Sequence, residues 1–306
     1  MRVVLTHTGS EVPDYTKHCV NQIRHTNPKI QIDVLVNYRH IKEFRRKVSN
    51  VSKLTILPLE IYTENETLKE FRRISWYKHW GRPFTTYPSP ENFVHGTSER
   101  LFILNAYIKH NKFNDVWHFE NDNLIYGDLS YVANQCSKDK VSVCYMGPSY
   151  VVMNAILIPK HEMFNDAMEW YLNELYEGDA GLKAKYKLDM TQEMSVMRFY
   201  DKFAYFPSIP EQDKTMGPLG YFMDPASYGQ FIAGTNNGHE PGFLDTINHD
   251  IAKQHSHKWR GMAFDKLKGP RVIDMNNREI RLFNLHMHNK TRIGEFVTYA
   301  KRNDNL

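Results

Sequence analysis

A chain of 306 residues with 41% hydrophobic, 13% aromatic and 24% charged residues is long enough to bury a core without cross-links, which excludes a disordered or fibrous protein. With 39 Lys and Arg against 35 Asp and Glu, the net charge of +4 is too small for a protein that coats nucleic acid, yet it suits an anionic small molecule. Cys19, Cys136 and Cys144 form no CxxC pair, so neither a disulfide framework nor a structural zinc is expected, and a reducing, cytoplasmic compartment is the natural reading. The first residues do not read as a signal peptide, and no apolar run approaches the roughly 20 residues that span a bilayer, so a soluble protein is expected.

In chain order, Val3 to Thr6 reads as a buried strand and Tyr15 to Arg24 as an amphipathic helix, started by Pro13 and Asp14 and ended by Asn27-Pro28. Ile30 to Val36 completes a β-α-β unit, whose crossover makes the two strands parallel. A strand is predicted at Leu54 to Leu57, a helix at Ser98 to His110 with Ser98 as its cap, and a strand at Val116 to Phe119. Between them, Arg72 to Asn92 has no periodicity and reads as an irregular insertion. Its Trp76, Tyr77, Trp80, Phe84 and Tyr87 suit a sugar-stacking wall, core packing or a lid. A strand pair at Val141 to Tyr145 and Val151 to Ile158 follows, then helices at His161 to Tyr176 and Thr191 to Tyr200. Pro207 to Gly242 is rich in Gly and Pro and reads as loops around a short helix, Pro225 to Ile232. The tail from Arg281 to His288 reads as one strand. No repeat or linker divides the chain, so one domain over 1–306 is expected.

Several residues suggest chemistry. The strand ending at Phe119 runs into Glu120-Asn121-Asp122, and carboxylates at the C-terminal edge of a parallel sheet face its ligand crevice. Two acids one residue apart offer hard oxygen ligands to Mg²⁺ or Mn²⁺, which can hold a diphosphate; the plainer reading is a solvated turn. Glu193, behind Thr191 as N-cap, lies in a first helical turn, where the dipole favours negative charge. Asp224-Pro225 suits N-cap and N1, and Gly229 inside that helix suggests close approach of a ligand or another backbone. Alternation in a strand sends His286 and His288 to one face, a pair that also marks zinc hydrolases, whereas His255 and His257 read as surface residues. Arg100 suits either a phosphate partner or a solvated helix face.

With the acidic strand end, the later acidic helix start, the Asp-led Gly229-Gln230 helix and the late histidines in this order, the chain resembles nucleotide-sugar-dependent glycosyltransferases of the GT-A fold, bacterial and large-DNA-virus members among them. That resemblance implies a GT-A-like α/β fold with a Rossmann-like N-terminal half and a mostly parallel central sheet flanked by helices. Residues 1–128 would form a nucleotide-binding half and 129–306 an acceptor-binding half. It implies Asp122 as a metal ligand and Glu120 as a ribose or metal contact, with Glu departing from the usual leading Asp. It implies His286 or His288 closing a shell around Mn²⁺ or Mg²⁺, and Thr6, His7, Thr8, Arg100 and Asn121 around the nucleotide. Glu193, with Asp224 and Asp189 in reserve, would take the proton of the acceptor hydroxyl in an inverting transfer. The partners implied are a nucleotide-diphosphate sugar and a glycan or other hydroxyl-bearing acceptor. A catalytically silent nucleotide-sugar-binding module and a metal-dependent phosphoesterase are the competing readings.

Overall fold

In the computed structural model, residues 1–9, 11–74, 93–146, 150–188, 192–208, 220–235, 241, 259–274 and 276–299 are described. Strand β1 (Arg2–His7) leads through helix α1 (Thr16–Thr26) to β2 (Gln31–Val36), and the two strands pair in parallel with Val3 opposite Ile32. Helix α2 (Ile41–Lys47) crosses to β3 (Leu54–Pro58), parallel to β2, and helices α3 (Glu66–Arg73) and α4 (Phe93–Asn111) lead to β4 (Val116–Phe119), parallel to β1 on its other side. The short β5 (Asn123–Ile125) and helix α5 (Leu129–Gln135) follow. Strands β6 (Val141–Tyr145) and β7 (Val151–Ile158) form the expected pair, and the pairing is antiparallel. Helices α6 (His161–Leu175), α7 (Gly178–Tyr186) and α8 (Glu193–Val196) precede β8 (Phe203–Phe206). The remaining elements are β9 (Tyr221–Phe222), α9 (Tyr228–Ala233), β10 (Trp259–Asp265), β11 (Gly269–Asp274), β12 (Glu279–Leu282) and β13 (Asn284–His286).

The central sheet runs in the order β3-β2-β1-β4-β7-β6-β8, parallel except where β7 lies antiparallel to β4 and β6. This is the α/β class with a mostly parallel sheet that the sequence predicts. Both faces are covered, which is why the strands read as unbroken apolar runs. One face buries Val4, Val116 and Ile156 against Phe71, Phe102 and Tyr171; the other buries Val3, Leu5, Trp117 and Phe119 against Val20, Ile23 and Leu129. Each such side chain contributes about 1.5–3 kcal/mol on burial.

Several predicted boundaries move. Helix α4 starts at Phe93, so Ser98 is not a cap but a buried interior residue, its hydroxyl 3.2 Å from that of Tyr171. The helix predicted from Thr191 shrinks to α8 and a 3-10 turn, Met197–Phe199, with Gln192 at the N-cap position; Thr191 and Asp189 lie outside the described residues. Pro225 does not open α9, because Ala226 takes a left-handed φ of 73° and diverts the chain before Tyr228. Arg72 and Arg73 are helical, while 75–92, with its aromatic group, and His255 and His257 lie outside the described residues.

The tail is two strands, not one. Strand β12 pairs with β11 and with β9, whereas β13 joins β5 in a separate two-stranded sheet. The switch occurs at Phe283, whose carbonyl accepts from Tyr126 N at 2.7 Å and Gly127 N at 3.1 Å. Its ring lies where a Cβ on Gly127 would be, 2.1 Å away, so glycine is required there. The antiparallel register then sets His286 opposite Asn123.

Candidate functional site

Strand β4 is buried throughout and ends where Asn123 N donates to Glu120 O at 3.1 Å, a tight turn that holds Glu120, Asn121 and Asp122 at the sheet's edge. Asn121 pins this turn to the end of β1: its Nδ2 donates to Thr6 O at 3.1 Å and lies 3.2 Å from His7 Nδ1. His7 Nε2 is 2.6 Å from Glu11 O, a pure acceptor, so Nε2 carries the proton and Nδ1 accepts from Asn121. Burial lowers the His7 pKa, consistent with that neutral ring. Thr8 turns toward the start of α4, where a Cβ on Gly96 would sit 3.8 Å from its hydroxyl.

The strand pairing of β13 with β5 brings His286 onto the acids. Its Nε2 lies 2.8 Å from Glu120 Oε2 and 3.2 Å from Asp122 Oδ1, with all three side chains at most 14% exposed. The other carboxylate oxygens have cationic partners: Arg100 Nη2 donates to Glu120 Oε1, and Lys290 Nζ to Asp122 Oδ2. Arg100 is thus not solvated on its helix face but ion-paired at 14% exposure. Met287 N donates to Asp122 O at 3.0 Å and fixes the turn to the strand.

These charges set the titration. Burial works to raise both carboxyls, but Arg100 and His286 outweigh it at Glu120, and Lys290 and His286 at Asp122, so both are held well below the usual range. Burial would lower His286, yet Asp122 and Glu120 raise it to about 10. Asp122 Oδ1, the farther of the two oxygens from His286 Nε2, is buried without a hydrogen bond. Two further imidazoles stay neutral, each near 3: His118, lowered by burial and Arg100 while its Nδ1 donates to Val4 O at 3.0 Å, and His288, lowered by burial, His286 and Lys290. The rings of His286 and His288 are 5.2 Å apart, but only His286 joins the two acids in a group whose ligand atoms all lie within 4.8 Å.

The other predicted residues are placed differently. Glu193 is 4% exposed in the first turn of α8, 3.5 Å from Ser98 Oγ, and it feels Arg100 and Glu120 electrostatically. Burial raises its carboxyl, opposed by Arg100. Helix α4, bearing both Ser98 and Arg100, thereby connects Glu193 to the acidic turn. Asp224 is fully buried, and both its oxygens are engaged by main-chain N–H groups.

Two residues at this site are not singled out by the sequence. Lys290 follows His286 by four positions, a basic residue beside a His-x-His that is visible only once the partner acids are known. Tyr15 stands near Asp122, whose charge reinforces the burial that raises its hydroxyl, and its ring centroid is 5.7 Å from Lys290 Nζ. Beside them lies a cavity of about 1080 Å³ lined in part by Tyr15, Lys17, His18, Lys266, Lys290 and Tyr299. Its two acids, Asp14 and Glu295, are paired with Lys47 at 3.0 Å and Arg292 at 2.7 Å, and Lys290 with Asp122, all outside the lining, so Lys17 and Lys266 leave it positive.

No protein-family model and no curated protein matches the chain. Solved structures with a similar chain course do exist. An active-site mutant of the glycosyltransferase LgtC is 13% identical over 99% of this chain and 98% of its own, with a TM-score of 0.43. The glycosyltransferase GlyE of Streptococcus pneumoniae TIGR4 is 10% identical over 70% of this chain, which spans 49% of GlyE, with a TM-score of 0.42. A cytidylyltransferase from Leptospira borgpetersenii is 8% identical over 82% of this chain and 92% of its own, with a TM-score of 0.35. At these values the chemistry must be read from the site itself. Among the described residues no helix is long and apolar enough to cross a membrane, and all three cysteines are free.

Proposed function

We propose that this protein is a glycosyltransferase that moves a sugar from a nucleotide-diphosphate donor to an acceptor hydroxyl, with inversion. The observation that carries the reading is the Glu120-Asp122-His286 group beside a positive cavity. Its donor set of two carboxylate oxygens and one imidazole nitrogen, with Asp122 Oδ1 buried and lacking a hydrogen bond, fits a divalent cation; the nitrogen favours Mn²⁺ over Mg²⁺. Such an ion would supply charge neutralisation for the departing diphosphate.

The chain's own residues do the rest. Thr6, His7, Thr8 and Asn121 form the strand-end surface on which the nucleotide is held, and Lys290, with Lys17 and Lys266, attracts the diphosphate into the cavity. Glu193 accepts the acceptor's hydroxyl proton as the new bond to the anomeric carbon forms and the bond to the diphosphate breaks, its electron pair leaving with the phosphate. A carboxyl raised by burial is better matched to that task than an exposed one. Asp224, whose oxygens are already engaged, is the weaker candidate. Within one domain, residues 1–128 serve the nucleotide together with His286, Lys266 and Lys290, the rest of 129–306 serves the acceptor, and three free thiols suit a reducing cytoplasmic compartment.

A donor screen by thermal shift with and without Mn²⁺, followed by product analysis, tests the proposal. Mn²⁺-dependent stabilisation by a nucleotide sugar and transfer to a hydroxyl are expected. Stabilisation without turnover on any acceptor would leave a binding module, and release of phosphate from simple esters would indicate a phosphoesterase.

A further inference from the structure

The main chain of His286 is held from two sides by one short segment. Its N–H donates to Asp224 Oδ2 at 2.8 Å. The same Oδ2 accepts from Gly229 N at 2.8 Å, while Oδ1 accepts from Ser227 N at 2.8 Å and Tyr228 N at 2.9 Å. On the other side the carbonyl of His286 lies against Gly229, where an added Cβ would come within 2.1 Å of the oxygen and 2.8 Å of its carbon. No side chain fits between α9 and β13 at that point. Asp224 itself is anchored by neighbours: its N–H donates to Asn284 Oδ1 at 2.9 Å, and its carbonyl accepts from Asn154 Nδ2 at 2.7 Å. Asn284 in turn donates to Asn123 Oδ1 at 2.8 Å, next to the acidic turn.

We infer that Asp224 and Gly229 clamp the main chain of His286 and so set its imidazole against Glu120 and Asp122, which makes Asp224 a positioning residue for the cation site. The inference rests on reading Glu120, Asp122 and His286 as that site. A carboxylate with four main-chain N–H donors is a rigid node, and fixing the backbone of a ligand acts as outer-shell hydrogen bonds do, where loss typically lowers metal affinity about 10- to 100-fold.

Calorimetric Mn²⁺ titration of the full chain tests it. Asp224→Asn, which presents an NH₂ to part of the N–H cluster, and Gly229→Ala, which pushes His286 away, are each expected to weaken Mn²⁺ binding about 10- to 100-fold at a temperature where circular dichroism shows the fold intact. In a His286→Ala background Asp224→Asn should add almost nothing, whereas a general structural role would add its full effect again. Folded variants that bind Mn²⁺ like wild type, or additive losses, overturn the clamp. Hydrogen exchange of the wild-type protein checks it without any substitution: the His286 and Gly229 amides should exchange as slowly as those of β4, and fast exchange at His286 overturns the inference. A wild-type protein that binds no Mn²⁺ overturns the cation-site reading instead, a failure told apart by the His286 amide, whose protection does not require the ion.

Discussion

Lys290 places its ammonium on the carboxylate of Asp122, 168 positions earlier in the chain, and its Nζ also reaches Met287 O at 2.6 Å. In the ion-free molecule Lys290 therefore supplies positive charge to an oxygen beside the one that faces His286. Replacing it with Met should leave Mn²⁺ affinity undiminished or tighter, because a competing cation is gone. The same change should weaken nucleoside diphosphate binding about 10-fold, or about 1.4 kcal/mol. Calorimetry with each ligand separately checks both signs; equal loss of both would show that Lys290 supports the site only structurally.

The two late histidines should separate. His286→Ala is expected to weaken Mn²⁺ binding by about 10-fold or more, since it removes one of three ligand atoms, while His288→Ala should stay within about 3-fold. Asp122→Asn should abolish the Mn²⁺ dependence of donor binding, as EDTA should in wild type. Electron paramagnetic resonance of bound Mn²⁺ reads all three variants, and a reversed order of the histidines would move the site to His288.

Glu193→Gln should lower kcat by at least about 100-fold with donor and Mn²⁺ affinity kept, because an amide cannot take the acceptor's proton. Near wild-type turnover, or a product that retains the donor's anomeric configuration, would remove Glu193 as base.

The same substitution has a stability signature. The Glu193 carboxyl is raised by burial, so its folded form binds the proton more tightly than the unfolded chain does. Wild type therefore loses stability as pH rises above the unfolded pKa of about 4.3, through the raised folded value. Gln escapes that loss. The variant should melt higher than wild type at pH 7, and the gap should close toward pH 4; a gap independent of pH would mean that burial does not raise the Glu193 carboxyl.

The chain's local patterns make much of this legible. Apolar runs of strand length at Val3, Ile32 and Val116 reflect a sheet covered on both faces, and the abrupt change from Phe119 to Glu120 marks a strand leaving the core at its ligand-binding edge. Helix α3 escapes such a reading, because Arg72 and Arg73 adjoin an aromatic stretch that has no periodicity. Ser98 reads as a cap because Ser suits that position, whereas tertiary contact with Tyr171 lets it sit inside a longer helix.

Local sequence suffices for the α/β class, the parallel β-α-β start and the acids at a strand end, since these follow from contacts between residues close in the chain. Which histidine meets the acids is settled only in three dimensions, by the β13–β5 register that puts His286 opposite Asn123. So is the meaning of Gly229, whose missing side chain makes room for the backbone of His286 and not for a ligand. Lys290 and Arg100 reach their carboxylates in the same way, from 168 and 20 positions away. Periodicity reports which face of an element is buried, but not which distant element will cover it, because pairing register and packing are settled by side-chain fit across the whole core.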